Sequence, residues 1–280
     1  MKILILHKVI FVLSFCASFC VCQVKLSIVE YRPFPEQLSI LDLTPSRINW
    51  SIANKFILLD ENGRELFELG PIGDLNLNGG FGKTISRYGE LVWMGVSPTG
   101  IQVVDRLENE IITLDYRLDF IQTSPLNKKI FPEKATLDPW GRLFLYSRGH
   151  NSIYLYENFH LDKIPFIDFS KIFSNGFCLQ DFNVNQNGEI ALLGCDGIFH
   201  SFSYNGQKLL SFPSTINDAQ FLSPVRDDWF IFNRDGDGIS IKTETLLSIP
   251  GSSIPVIDIA SMNRSIAVLS NDHILILDVK

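Results

Sequence analysis

The chain reads as an all-β protein, a six-bladed β-propeller with four antiparallel strands per blade and an N-terminal strand closing the last blade. Three observations predict this. Six short apolar segments recur along the chain, each followed by a turn and a further strand. With an N-terminal export segment set aside, 258 residues divide into six units of 43, inside the ~40–50 residues of a propeller blade. The sixth unit stops at its third strand, where the chain ends at Lys280. A lone strand, Val24-Lys-Leu-Ser-Ile-Val29, opens the mature chain without a unit of its own. Pairing the two closes the ring and protects the blade edges.

The N-terminus comes first. Lys2 and Lys8 form a short basic region, and an apolar run follows from Val9 to Cys22. That run is short for a membrane span, which takes about 20 residues, and it fits a secretory signal. Cys20 and Cys22 are the small residues before Gln23, so cleavage is expected after Cys22. A lipid anchor is the rival reading. It usually wants a small residue before the Cys, whereas Phe15, Phe19 and Val21 precede Cys16, Cys20 and Cys22. Residues 1–22 are therefore read as a signal peptide and 23–280 as one propeller domain. The mature chain carries no apolar run long enough to span a membrane. Its destination is periplasmic, cell-surface or extracellular.

The whole chain has 31 acidic and 24 basic residues, a net charge of −7. Removing the signal, with its two Lys, makes the balance more acidic. A general nucleic-acid binder would instead show a basic face. The hydrophobic content of 46% excludes a disordered tail.

The six aligned segments are Arg47–Ile52, Glu90–Gly95, Arg142–Ser147, Glu189–Gly194, Asp228–Asn233 and Ser265–Ser270. Runs of four to five apolar residues suit strands buried on both faces. Turns follow at Asn54-Lys55, Thr99-Gly100, Asn151-Ser152, Asp196-Gly197, Asp237-Gly238 and Asp272-His273. Such pairs tolerate hairpin geometry. Third strands are expected at Phe56–Asp60, Ile101–Asp105, Ile153–Glu157, Ile198–Phe202, Ile239–Thr243 and Ile274–Asp278. Fourth strands follow near Glu65–Leu69, Glu110–Asp115, Lys163–Asp168, Lys208–Phe212 and Thr245–Ile249. First strands are placed upstream, near Leu38–Leu43, Lys83–Ser86, Lys134–Asp138, Leu179–Val184, Asp218–Leu222 and Val256–Ala260. A pair of β-sandwiches would explain alternating strands, but neither the six columns nor the spare first strand.

The segment Phe56-Ile-Leu-Leu-Asp-Glu-Asn-Gly-Arg-Glu-Leu-Phe-Glu-Leu-Gly70, with the glycines of Gly79-Gly-Phe-Gly82 after it, resembles an NHL-type repeat. Ser203-Tyr-Asn-Gly-Gln-Lys208 is a partial second match, and the other four units depart from the pattern. The resemblance implies a recognition scaffold more often than an enzyme. It brings no fixed catalytic set to carry over.

In a propeller the second-to-third turns and the interblade links share one face, the usual binding surface. Its candidates here are Lys55, Arg148, His150, Arg234, Asp237 and His273. The leading function is binding or scaffolding of a protein, peptide or glycan. An enzyme, a lyase or hydrolase using His150 or His273 in the channel, is the alternative. No catalytic signature supports it. No cofactor is expected, apart from a Ca²⁺ candidate. Asn233, Asp235, Asp237, Gly238 and Glu244 reproduce a Ca²⁺-loop spacing, but the strand expected at Ile239–Thr243 would carry Glu244 about 16 Å away. That leaves Asn233, Asp235 and Asp237 as a partial metal site.

Asn78-Gly-Gly-Phe-Gly-Lys-Thr84 mimics a phosphate loop but has Leu77 where the first Gly belongs, and no helix follows. The link Tyr116–Phe131 is basic at Arg117, Lys128 and Lys129. Trp50 and Trp93 share a column with Leu145, Leu192, Ile231 and Val268, so they are assigned to interblade core. Cys178 and Cys195 flank the Asn187-Gly188 hairpin almost symmetrically, and a cross-strand disulfide is expected in the fourth blade, in a compartment that permits one.

Overall fold

The structure is a computed structural model that describes residues 24–77, 88–174 and 176–280. The signal peptide expected at 1–22, the loop Asn78–Thr84 and the strand expected at Lys83–Ser86 lie outside the described residues. Among the described residues helix is confined to short turns, and none is long and apolar enough to cross a membrane.

The chain forms six small antiparallel sheets in sequence order, the blades of a six-bladed β-propeller. Blade 1 comprises Pro45–Trp50, Phe56–Asp60, Leu66–Leu69 and Leu75–Leu77; blade 2 comprises Leu91–Ser97, Gly100–Asp105, Glu110–Leu114 and Phe120–Pro125. Blade 3 comprises Lys134–Leu137, Leu143–Ser147 and Ser152–Glu157. Its outer edge is split into His160–Leu161 and Ile167–Asp168. Blade 4 comprises Leu179–Val184, Ile190–Gly194, Ile198–Phe202 and Lys208–Pro213; blade 5 comprises Phe221–Val225, Asp228–Phe232, Asp237–Ser240 and Leu246–Ser248. Blade 6 takes Asp258–Met262, Ser265–Leu269 and His273–Val279 from the C-terminus and Leu26–Pro33 from the N-terminus. The closing pair runs from Leu26 opposite Val279 to Pro33 opposite His273.

The second strands of blades 1 to 5 are buried along their whole length, as in Phe56–Asp60, Leu143–Ser147, Ile190–Gly194 and Asp228–Phe232. They sit mid-sheet with a neighbouring blade on each face, so an uninterrupted apolar run is what the position demands. The innermost strands face the central channel along one edge, and they mix buried residues with half-buried or exposed ones, as in Pro45–Trp50 and Leu179–Val184.

That difference corrects the sequence columns in blades 1 and 2. Leu38–Leu43 is not a strand. Glu36–Ile40 is a short helix after Pro35. The innermost strands are Pro45–Trp50 and Leu91–Ser97, so every strand there moves inward by one place. Trp50 and Trp93 therefore do not share a column with Leu145 or Leu192. The displaced outer strands are Leu75–Leu77 and Phe120–Pro125, and the second of these lies in the middle of the expected link Tyr116–Phe131. It was hidden because an outer strand is exposed on both sides and keeps no apolar pattern.

The core consists of six apolar clusters, one at each seam between adjacent blades. The seam between blades 6 and 1 joins Ala267, Leu269 and Ile274 to Trp50, Phe56 and Leu58. The closing strand reinforces this seam through the buried Arg32. Its guanidinium donates to the Asn54 carbonyl at 3.0 Å, lies 4.8 Å from the Phe56 ring centroid and pairs with Glu30 at 2.6 Å. An Arg buried this way needs each of those partners to offset its lost hydration.

Candidate functional site

The alternation of antiparallel strands fixes which residues share an end of the propeller. Interblade links and second-to-third turns meet at one end, and first-to-second and third-to-fourth turns meet at the other. A channel of about 1100 Å³ runs between the innermost strands.

At the link end, each blade ties its incoming link to its second-to-third turn. Asp60 accepts from the Thr44 N–H at 2.8 Å, and Asp105 accepts from Gly89 and Glu90 at 2.6 and 3.0 Å. Ser147 donates to the Ile130 carbonyl at 2.5 Å, and Asn233 donates to the Asn217 carbonyl at 3.1 Å. In blade 4 the same place is taken by a disulfide, Cys178–Cys195, with Cα atoms 5.4 Å apart. In blade 6 it is taken by His273, whose Nε2 lies 2.7 Å from Ser253 Oγ. Six contacts of five chemical kinds thus do one job. They hold the turns in fixed positions around the mouth.

The channel wall is stitched in a second ring. Asp258 Oδ2 accepts from Ile48 N–H of blade 1, and Asp181 Oδ2 accepts from Leu222 N–H of blade 5, both at 2.9 Å. Asn49 and Asn183 each donate to a carbonyl of the following blade, Met94 and Leu222, at 2.9 and 3.3 Å. These side chains satisfy peptide groups on the unpaired inner edges of the sheets.

Charge gathers at the link-end mouth. Arg47, Glu90, Lys134, Asp181 and Asp258 sit at the starts of innermost strands, and Arg106 and Arg234 come from second-to-third turns. Arg106 and Glu90 are firmly paired at 2.5 Å. The other pairs are looser: Arg47 to Asp258 and Lys134 to Asp181 are each 3.9 Å, beyond hydrogen-bond reach. Arg234 is exposed and makes no side-chain hydrogen bond or ion pair among the described residues.

Burial inside the channel pushes the Asp258 carboxyl up to about 6; Arg47 and the Ile48 N–H pull it down, and neighbouring Asp181 raises it further. Burial also raises Asp181, against the opposing pull of Lys134, the Leu222 N–H and Arg47. Part of each carboxyl touches channel solvent, but protein encloses that solvent, so hydration is incomplete.

The rim candidates are scattered by this geometry. Of the six, Arg234 alone lines the channel. Arg148 and Asp237 are exposed on outer parts of the link end. Lys55 lies in a first-to-second turn at the opposite end, a consequence of the shifted columns, and pairs with buried Glu68 at 2.8 Å. His150 is also exposed, and its Nδ1 is 3.0 Å from the Tyr154 hydroxyl, to which Lys128 donates at 2.7 Å.

His273 stands in a Ser253–His273–Asp272 sequence of contacts, with Nδ1 2.6 Å from Asp272. The order resembles a hydrolase triad. Access rules it out as one, since Ser253 is 0% and His273 1% exposed. Tyr31 of the closing strand covers the ring at 4.3 Å. None of the four described histidines lines the channel.

For the cation candidate, Asn233 spends its carboxamide on Asn217 and on the Asp237 N–H. Among the described residues no three His, Cys, Asp or Glu side chains converge.

Sequence reasoning missed Arg47, Lys134, Asp181 and Asp258. A signal was present: a charged residue near the start of an innermost strand in several units. In blade 1 the shifted columns hid it.

No protein-family model matches the sequence, and no curated protein sequence matches it. Solved structures do match in shape. A catalytically inactive histidine-to-alanine variant of virginiamycin B lyase from Staphylococcus aureus, with quinupristin, aligns at TM-score 0.59 and 13% identity over 91% of this chain and 99% of that one. A streptogramin B lyase aligns at TM-score 0.55 and 12% identity over 94% and 100%. YCF48 bound to D1 peptide aligns at TM-score 0.60 and 10% identity over 85% and 79%. At these identities the likeness establishes the fold, a six-bladed β-propeller.

Proposed function

We propose that this is an exported propeller that binds a protein or peptide partner at the link-end mouth of its channel. The carrying observation is the charge arrangement at that mouth. Asp181 and Asp258 are held where ionisation is disfavoured, with Arg47 and Lys134 near but not bonded to them. Charged groups kept incompletely paired in a rigid concave site suit a ligand that completes the pairing. The peptide bound to YCF48 gives a precedent for the fold.

The lyase reading is weaker. A lyase of this fold is inactive when a histidine is replaced, and no described histidine reaches this channel.

Charge reversal tests the proposal. Mature protein, with Gln23 verified as its first residue, is used to capture partners from the compartment into which it is exported. Arg47→Glu combined with Lys134→Glu is expected to cut retention of the specific partner at least about tenfold, a loss near 1.4 kcal/mol, at an unchanged thermal midpoint. Equal retention by the folded double variant would contradict the assignment.

A further inference from the structure

The opposite end of the propeller carries a different surface. Trp140, in the first-to-second turn of blade 3, is 60% exposed, and Tyr204, in the third-to-fourth turn of blade 4, is 61% exposed. They meet over Gly188. A Cβ built there would lie 2.3 Å from Trp140 Cζ3 and 3.5 Å from Tyr204 Cβ. The indole therefore rests on bare backbone. On the other side of the turn, Gly141 lies against Pro98 of blade 2.

This exposed tryptophan is fixed. Buried Asp138 accepts from the Trp140 N–H at 2.9 Å and from Arg142 Nε at 2.6 Å, and Arg142 lies 5.3 Å from the indole centroid. Asp138 thus fixes the backbone at Trp140, and the ring lies between Gly188 and Arg142, an ordering that lowers the entropic cost of binding.

The surroundings are polar but neutral. Gln186 and Asn187 share the Gly188 turn, and Gln207 shares the Tyr204 turn. Their side-chain amides, the Trp140 indole N–H and the Tyr204 hydroxyl make no hydrogen bonds among the described residues. Two adjacent charges are already paired, Arg142 with Asp138, and Glu189 with the Asn185 amide at 2.9 Å. Pro139 and Gln186 also line the channel, so the ledge borders its second mouth.

We propose that this ledge is a carbohydrate-binding site for a neutral glycan. A pyranose ring offers an apolar face of C–H groups to an aromatic plane, and hydroxyls around its edge to amides. The ledge presents those two chemistries side by side. Of the charges beside the ledge, Lys208 has no carboxylate partner, but its ammonium lies over the Phe173 ring, 4.9 Å from the centroid.

The test is a glycan array carrying neutral and acidic glycans, probed with wild type, Trp140→Ala, Tyr204→Ala and Arg47→Glu. Neutral glycans are expected to be retained by wild type and by Arg47→Glu. Signal should fall about tenfold or more in Trp140→Ala and fall also in Tyr204→Ala, both exposed positions whose folding is checked by thermal midpoint. Retention of no glycan, retention of acidic glycans alone, or binding unchanged in both aromatic variants would overturn the proposal. The same array outcome leaves the link-end mouth untouched, because Arg47→Glu separates the two surfaces.

Discussion

A chain beginning at Phe34 is expected to lose cooperative folding. Removing residues 24–33 takes away the outer strand of blade 6 and bares the edge of His273–Val279 along its whole length. Val24 and Leu26 leave the apolar seam between blades 5 and 6. Tyr31 uncovers His273, and Arg32 no longer spans from blade 6 to Asn54 and Phe56 of blade 1. Net stabilities are only about 5–15 kcal/mol, and a complete strand contributes on that scale. The ring then has an open seam and an unpaired edge that invites aggregation. Thermal circular dichroism of the truncated chain should show no sharp transition. A synthetic peptide covering 24–33, added in trans, should restore it. A truncated monomer that melts cooperatively within a few degrees of wild type would contradict closure by this strand.

Asp258→Asn is expected to stabilise the protein at pH 8. The folded state raises this carboxyl from 3.8 to about 6. The folded chain therefore keeps a proton that the unfolded chain gives up between those values. Stability falls as pH rises through that window, and the full penalty, up to about 3 kcal/mol, applies above pH 6. Asparagine retains an oxygen for the Ile48 N–H without the charge. The gain should be largest at pH 8 and vanish toward pH 4.

His200 works in the opposite direction. Burial lowers it from 6.5 to about 4, with Lys208 adding to the shift and Asp196 opposing it. Its contribution is present above pH 6.5 and is lost as pH falls toward 4. The two groups offset each other in wild type between pH 4 and 6. Urea unfolding of Asp258→Asn should therefore show a steeper acid decline than wild type. A variant less stable than wild type at pH 8 would refute the argument. The expected gain also marks Asp258 as a residue kept at a cost to stability, as functional sites often are.

The blade count and the closing strand were legible in the sequence, because second strands such as Ile190–Gly194 keep unbroken apolar runs. The order of strands within blades 1 and 2 was not. There the third strand Leu66–Leu69 is as buried as a second strand, and the outer strand Phe120–Pro125 has no apolar signature. Shifting those columns sent Lys55 to the wrong end and concealed Arg47 at the channel mouth. The mouth also escaped notice because it is assembled from residues far apart in sequence. Arg47 and Asp258 meet only when the ring closes. His273 stood out as a chemical residue, yet its neighbours Ser253 and Tyr31 give it a structural task.

The central claim is that the partner sits at the link-end mouth. Site-specific photo-crosslinking tests it most directly, with a probe replacing Asn62 at that mouth and a control probe replacing Asp162 on the outer edge of blade 3. The account predicts one discrete adduct from position 62, suppressed by Arg47→Glu, and none from position 162. Adducts of equal yield from both positions, or an adduct at 62 indifferent to Arg47→Glu, would contradict it.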